Sequence, residues 1–177
     1  MEDFIYLSFE DVLGYYRETI EQSGGGMSGI REQAEIEKVL DFVQNDLYYP
    51  TLEDKLTYMV FAFCTGHYFA DGNKRISLVI GAHFLIKNKR GWAGFHFLPY
   101  MEAYIWHVAA GNIDRELLTK IVHSVVNKEE LDEEVDCEHN LYGAEEIETA
   151  PFNAIHILTG QTRDFTNSCK VSKCETE

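Results

Sequence analysis

Ten consecutive residues, Gly66-His67-Tyr68-Phe69-Ala70-Asp71-Gly72-Asn73-Lys74-Arg75, carry side chains that can do chemistry at a spacing where they can act together. They fall between two apolar segments, where a purely structural connection would need only a turn. A polar loop that opens a buried helix presents unpaired backbone N–H groups and the positive end of the helix dipole, and together these attract anions. Gly72 lets the backbone approach a ligand closely, and Lys74 and Arg75 add two full positive charges. Phosphate is the natural guest. Asp71 is a hard oxygen ligand that repels phosphate directly but joins it through Mg²⁺. His67 carries an imidazole, the side chain most often used to take a proton from an attacking hydroxyl. A base, a metal ligand and a phosphate cradle thus lie within nine residues.

The elements that must position this loop read as helices. Ser8 followed by Asp11 makes a capping-box start, and Phe9, Val12, Leu13, Tyr16 and Ile20 recur at helical spacing until Gly24-Gly25-Gly26. Ile36, Val39, Leu40, Val43 and Leu47 predict a second helix, with Ser28 as its cap. Leu52, Leu56, Met59, Val60 and Phe63 predict a third. From Arg75 to Lys87 apolar side chains point in nearly every direction around a helix, which predicts a central, buried element directly after the loop. Pro99 suits the first turn of a helix running through Met101 to Ala109 and closed by Gly111. Asp114 caps a last one bearing Leu117, Leu118, Ile121, Val122 and Val125. The expected fold class is an all-α bundle around a buried helix, with at most a short hairpin in a connection.

Composition narrows the function. The chain has 177 residues, 45% of them hydrophobic, enough for a packed core and incompatible with disorder throughout. Apolar runs stop well short of the roughly 20 residues that span a bilayer, and no basic, apolar and small-residue leader opens the sequence, so a cytoplasmic chain with no membrane partner is expected. A net charge of −15 argues against nucleic-acid binding. The acid is concentrated late: residues 127–177 hold 13 acidic against 4 basic side chains, and 1–126 hold 17 against 11. We place a domain boundary at that change, with a globular domain over 1–126 and an acidic extension over 127–177.

The loop resembles the Fic/Doc family, whose signature is H-x-F-x-[DE]-G-N-x-R. His67, Phe69, Asp71, Gly72, Asn73 and Arg75 fill every fixed position. The likeness extends from Gly29-Ile30-Arg31 to Val108-Ala109-Ala110-Gly111 and the helix after it, covering roughly residues 3–126. It implies a Fic/Doc helical bundle that uses ATP and Mg²⁺ to modify a hydroxyl on a target protein. Residue by residue, it implies that His67 deprotonates the acceptor, Asp71 holds Mg²⁺, and the backbone around Gly72, Asn73 and Lys74 binds phosphate oxygens. Arg75 would pair with a phosphate, and Phe69 would anchor the loop by packing. AMP-transferring members usually carry a glycine and a second arginine where this chain has Lys74 and Leu78. Both replacements resemble the Doc branch, although Doc has alanine at the position of Gly72. Those are toxins of toxin–antitoxin pairs that transfer the γ-phosphate to a translation factor such as elongation factor Tu, so phosphotransfer and a separate antitoxin partner are the implied reading. AMP transfer is the alternative.

Other readings compete with parts of this one. Asp71-Gly72-Asn73 is also a turn signal, which is compatible with an active site. Cations at a helix start oppose the dipole by up to about 1 kcal/mol, an objection that an anionic ligand removes. Ser28 to Gln33 meets all but the last requirement of the family's inhibitory motif, and is better read as the approach to the second helix. His83, His96, His107 and His123 have no clustered partners in sequence and read as core or surface residues. Cys137, His139, Cys169 and Cys174 are of the right types for zinc but lack the short pair spacing, so reduced, unrelated thiols are expected. Glu145, Glu146 or Glu148 of the extension could compete with phosphate for Lys74 and Arg75. From another class comes a non-catalytic adaptor whose acidic extension recruits a basic partner.

Overall fold

The computed structural model describes residues 3–23 and 27–127. Six helices account for most of them: α1 (Phe9–Gln22), α2 (Gln33–Phe42), α3 (Leu52–Thr65), α4 (Asn73–Lys87), α5 (Gly91–Ala110) and α6 (Arg115–Asn127). The expected all-α class holds. Among the described residues the only β feature outside the helices is one antiparallel bridge between Ile30 and Phe69.

Local sequence explains most helix starts. Ser8 and Asp11 form a full capping box on α1, each side chain bonding the other's backbone N–H. Thr51 and Asp54 do the same for α3, a signal absent from the sequence reading. Asp114 accepts from Leu117 N–H at 2.9 Å and starts α6, and Gly111 closes α5 at φ +80°.

The core forms around α4, where Ile76, Leu78, Val79, Ile80, Ala82, Phe84 and Leu85 are all buried, on every side of the helix. Helices α3 and α5 pack most extensively against it, and α1 covers another side. The fit to α5 depends on a glycine: a Cβ at Gly94 would lie 2.6 Å from Ile86 Cγ1 and 2.9 Å from the Ala82 carbonyl. That close approach corrects the reading of Pro99. The helix begins at Gly91, eight residues before the proline, because Ala93, Gly94, Phe97 and Leu98 bury themselves ahead of it, and this burial outweighs one lost backbone hydrogen bond.

Three further expectations are corrected. Helix α4 begins at Asn73, two residues before Arg75, so half the motif's polar end is helical. Ser28 does not cap α2, which starts at Gln33 after Glu32; the intervening residues instead bond to the loop before α4. Leu47 is 93% exposed, because α2 stops at Phe42 and the turns that follow break its helical register.

Lys55 is fully buried in α3, donating to the Val43 carbonyl at 3.1 Å and to Asp46 Oδ1 at 2.7 Å. Its ammonium also lies 5.3 Å from the centre of the Phe4 ring and 5.5 Å from that of Tyr6, tying the N-terminal segment to the core. The domain boundary at 127, the acidic extension and the cysteine set Cys137, His139, Cys169 and Cys174 lie outside the described residues.

Candidate functional site

The loop joining α3 to α4 is held by its own residues and by a crossing segment that precedes α2. Phe69 is wholly buried and stacks on Tyr16 with ring centres 4.1 Å apart, which makes it the packing anchor that its position in the loop suggested. Asn73 then clasps the loop from within the helix. Its Oδ1 accepts from Phe69 N–H at 3.0 Å, and its Nδ2 donates to the Phe69 carbonyl at 2.9 Å. On the outer side Arg31 N–H donates to the Tyr68 carbonyl at 2.8 Å and Ala70 N–H to the Gly29 carbonyl at 2.9 Å. The Tyr16 hydroxyl accepts from Gly29 N–H at 3.3 Å, so one tyrosine supports both sides of the contact.

Gly72 is the residue before α4, at φ +80° and ψ 12°. A side chain there would be strained, and its Cβ would lie 2.9 Å from Ile20 Cδ1. With no side-chain cap, the first intrahelical bond of α4 runs from Ile76 N–H to the Gly72 carbonyl at 2.9 Å. The N–H groups of Asn73, Lys74 and Arg75 therefore have no carbonyl in the preceding turn and point out of the helix start. This is an anion-binding arrangement.

Around it stand the charged groups. Asp71 Oδ1 accepts from Gly72 N–H at 2.6 Å, and Oδ2 accepts from Arg75 Nη2 at 3.1 Å. Arg75 also donates through Nη1 to Ser23 Oγ at the end of α1, so its guanidinium is braced on two sides while 28% of the side chain stays exposed. Lys74 turns the other way: its Nζ lies 3.2 Å from the centre of the Trp106 ring on α5. Burial holds its ammonium below the ordinary lysine pKa, an effect opposed by nearby Cys64 and reinforced by Arg75. His67 is exposed and sits at φ 51°, a left-handed conformation uncommon outside glycine and concentrated at functional sites.

The structure therefore gathers Asp71, Gly72, Asn73 and Arg75 at one helix start, with His67 leading into it and the Lys74 side chain set against Trp106. The Asn73 side chain is committed to the loop, leaving its backbone N–H for a ligand. Sequence reasoning missed Ser23, Tyr16 and Trp106 as supports of the site. Ser23 reads only as a helix end before three glycines, Tyr16 only as part of an apolar stripe, and Trp106 lies far along the chain with no motif around it.

Residues 6–85 match the model of the Fic/DOC family. The matched span is under half of the chain and contains α1, α2, α3, the loop and most of α4. No curated protein matches the sequence.

Among the described residues no group of three or more His, Cys, Asp or Glu side chains could hold a metal ion. One exposed carboxylate at an anion site nevertheless suits Mg²⁺, which keeps several waters and takes further oxygens from substrate phosphates. Asp71 fits that use. Among the described residues no helix is long and apolar enough to cross a membrane.

Proposed function

We propose that this chain is a Fic/Doc-type transferase that uses Mg·ATP to modify a hydroxyl of a target protein, by phosphorylation in the manner of the Doc branch. The observation that carries the reading is the helix start at Gly72, where free N–H groups, a braced arginine and an exposed carboxylate meet, with an exposed histidine, His67, in the loop that leads into it. Each piece is suited to one task. The N–H groups of Asn73, Lys74 and Arg75 bind phosphate oxygens, and Arg75 offsets charge as it spreads over the transferred group. Asp71 would hold the Mg²⁺, which supplies charge neutralisation between the phosphates. His67 removes the proton of the acceptor hydroxyl as the new O–P bond forms, and the bond to the bridging oxygen breaks with ADP leaving.

Phosphotransfer is preferred over AMP transfer because Leu78 is buried in the core, offering no second cation to grip an α-phosphate, and because Lys74 stands where AMP-transferring members usually carry a glycine. The implied acceptor is a translation factor such as elongation factor Tu, with an antitoxin as the restraining partner and the cytoplasm as the place of action. Incubation of the chain with a bacterial lysate and ATP labelled on either the γ- or the α-phosphate tests this. Label from γ on a protein band is expected. Label from α would replace the reading with AMP transfer, and failure to bind Mg·ATP at millimolar concentration would favour a non-catalytic adaptor.

A further inference from the structure

At the other end of α4 three basic side chains stand close together on a chain whose net charge is −15. Lys87, Lys89 and Arg90 line a cavity of about 540 Å³ whose floor is Phe4, Ile5 and Leu52. Phe4, Leu52 and Arg90 also line a second cavity of about 520 Å³, so the two form one groove, and Glu53 lies on the rim of the second. The remaining charged groups facing it are Asp3 in the first cavity and Asp46 in the second. Lys87 is paired with Asp11 at 2.9 Å, and Asp46 with Lys55 at 2.7 Å. Lys89 and Arg90 form no ion pair among the described residues and are both exposed.

The chain leaves α6 at this groove. Asn127 Nδ2, in the last residue of α6, donates to Glu53 Oε1 at 3.4 Å. Two residues later begins a run with acids at Glu129, Glu130, Asp132, Glu133, Glu134, Asp136 and Glu138, with Leu131 and Val135 among them. That composition matches the groove: acids for Lys89 and Arg90, and two apolar side chains for the Phe4, Ile5 and Leu52 floor. Ten residues reach at most about 35 Å, ample for cavities that adjoin the exit point.

We propose that residues 129–138 dock intramolecularly in this groove, with Lys89 and Arg90 as the charged contacts. The site is the far end of α4 from the loop, about 20 Å away at 1.5 Å per residue, so this run is held clear of Lys74 and Arg75. The inference is independent of the transferase reading.

Zero-length carbodiimide coupling of the dilute full-length chain, followed by peptide mass spectrometry, tests it. The expected result is coupling of Lys89, and secondarily Lys87, to acids within 129–138 of the same molecule. The yield should fall several-fold at about 1 M salt, where the Debye length shrinks to about 3 Å, and likewise in Arg90→Glu. Coupling of these acids to Lys74, coupling only between copies, or no coupling to Lys87 and Lys89 would each overturn the proposal.

Discussion

Replacing Asn73 by alanine should loosen the loop before it changes any ligand contact. The side chain makes two hydrogen bonds to one wholly buried residue, Phe69, at 3.0 and 2.9 Å. A hydrogen bond contributes about 1 kcal/mol net, and a buried group left without its partner costs about 1–3 kcal/mol. With both bonds partly buried, Asn73→Ala should lose about 2–3 kcal/mol of stability. Asn73→Asp is the sharper comparison. It keeps an acceptor for Phe69 N–H but sets its second oxygen against the Phe69 carbonyl, exchanging attraction for repulsion. A negative charge at a helix start returns only about 0.3–1 kcal/mol of this. Urea unfolding at pH 7 should therefore show a lowered midpoint at constant slope for both variants, with the aspartate partly rescued at acid pH, where its protonated carboxyl again offers a donor. Loss of under about 0.5 kcal/mol in Asn73→Ala, together with weakened nucleotide binding, would refute the reasoning and place the side chain on the ligand instead.

Three other outcomes follow from the same geometry. Gly72→Ala should destabilise by about 1–2 kcal/mol, since φ +80° is left-handed backbone; an unfolding midpoint equal to wild type would contradict this. The His83 ring stacks on Tyr15 at 3.8 Å with a buried, unpartnered Nε2, and burial, reinforced by the Lys87 charge, pushes its pKa down to about 4. Between about pH 6.5 and pH 4 the unfolded chain therefore binds a proton that the folded chain refuses, and stability is lost as pH falls. His83→Phe should flatten that loss, and equal melting-temperature changes between pH 7 and pH 5 in both proteins would count against it. Trp106→Leu and Lys74→Met should couple by about 0.5–1 kcal/mol in a double-mutant cycle, and additive effects would show that the contact contributes nothing.

Where sequence patterns reflect local physics, they anticipated the structure. The all-round apolar stretch of α4 could only be buried, the spacing of Ser8 and Asp11 closes as a full capping box, and the motif residues arrive together because they are nearly consecutive. Tertiary features were not legible. Helix α5 runs through Pro99 because Gly94 lets it reach Ile86, a fact of two helices and not of one. Ser28 resembled a cap, yet its segment goes to pairing with Tyr68 and Ala70. Asn73 was read for its backbone alone, and the clasp that its side chain makes on Phe69 carried no signal in the sequence. Ser23 and Trp106, which set where Arg75 and Lys74 point, come from the end of α1 and from α5 and carry no local signal.

The most direct test of the central claim is to measure Mg·ATP affinity and label transfer in the same preparations of wild type and His67→Ala. His67 is exposed and outside the core, so the variant should fold and bind Mg·ATP as wild type does. Its transfer rate should fall by about 10²–10⁴, the usual contribution of a general base. Transfer within about tenfold of wild type would show that His67 is not the base, and absence of Mg·ATP binding in both proteins would contradict the anion site itself.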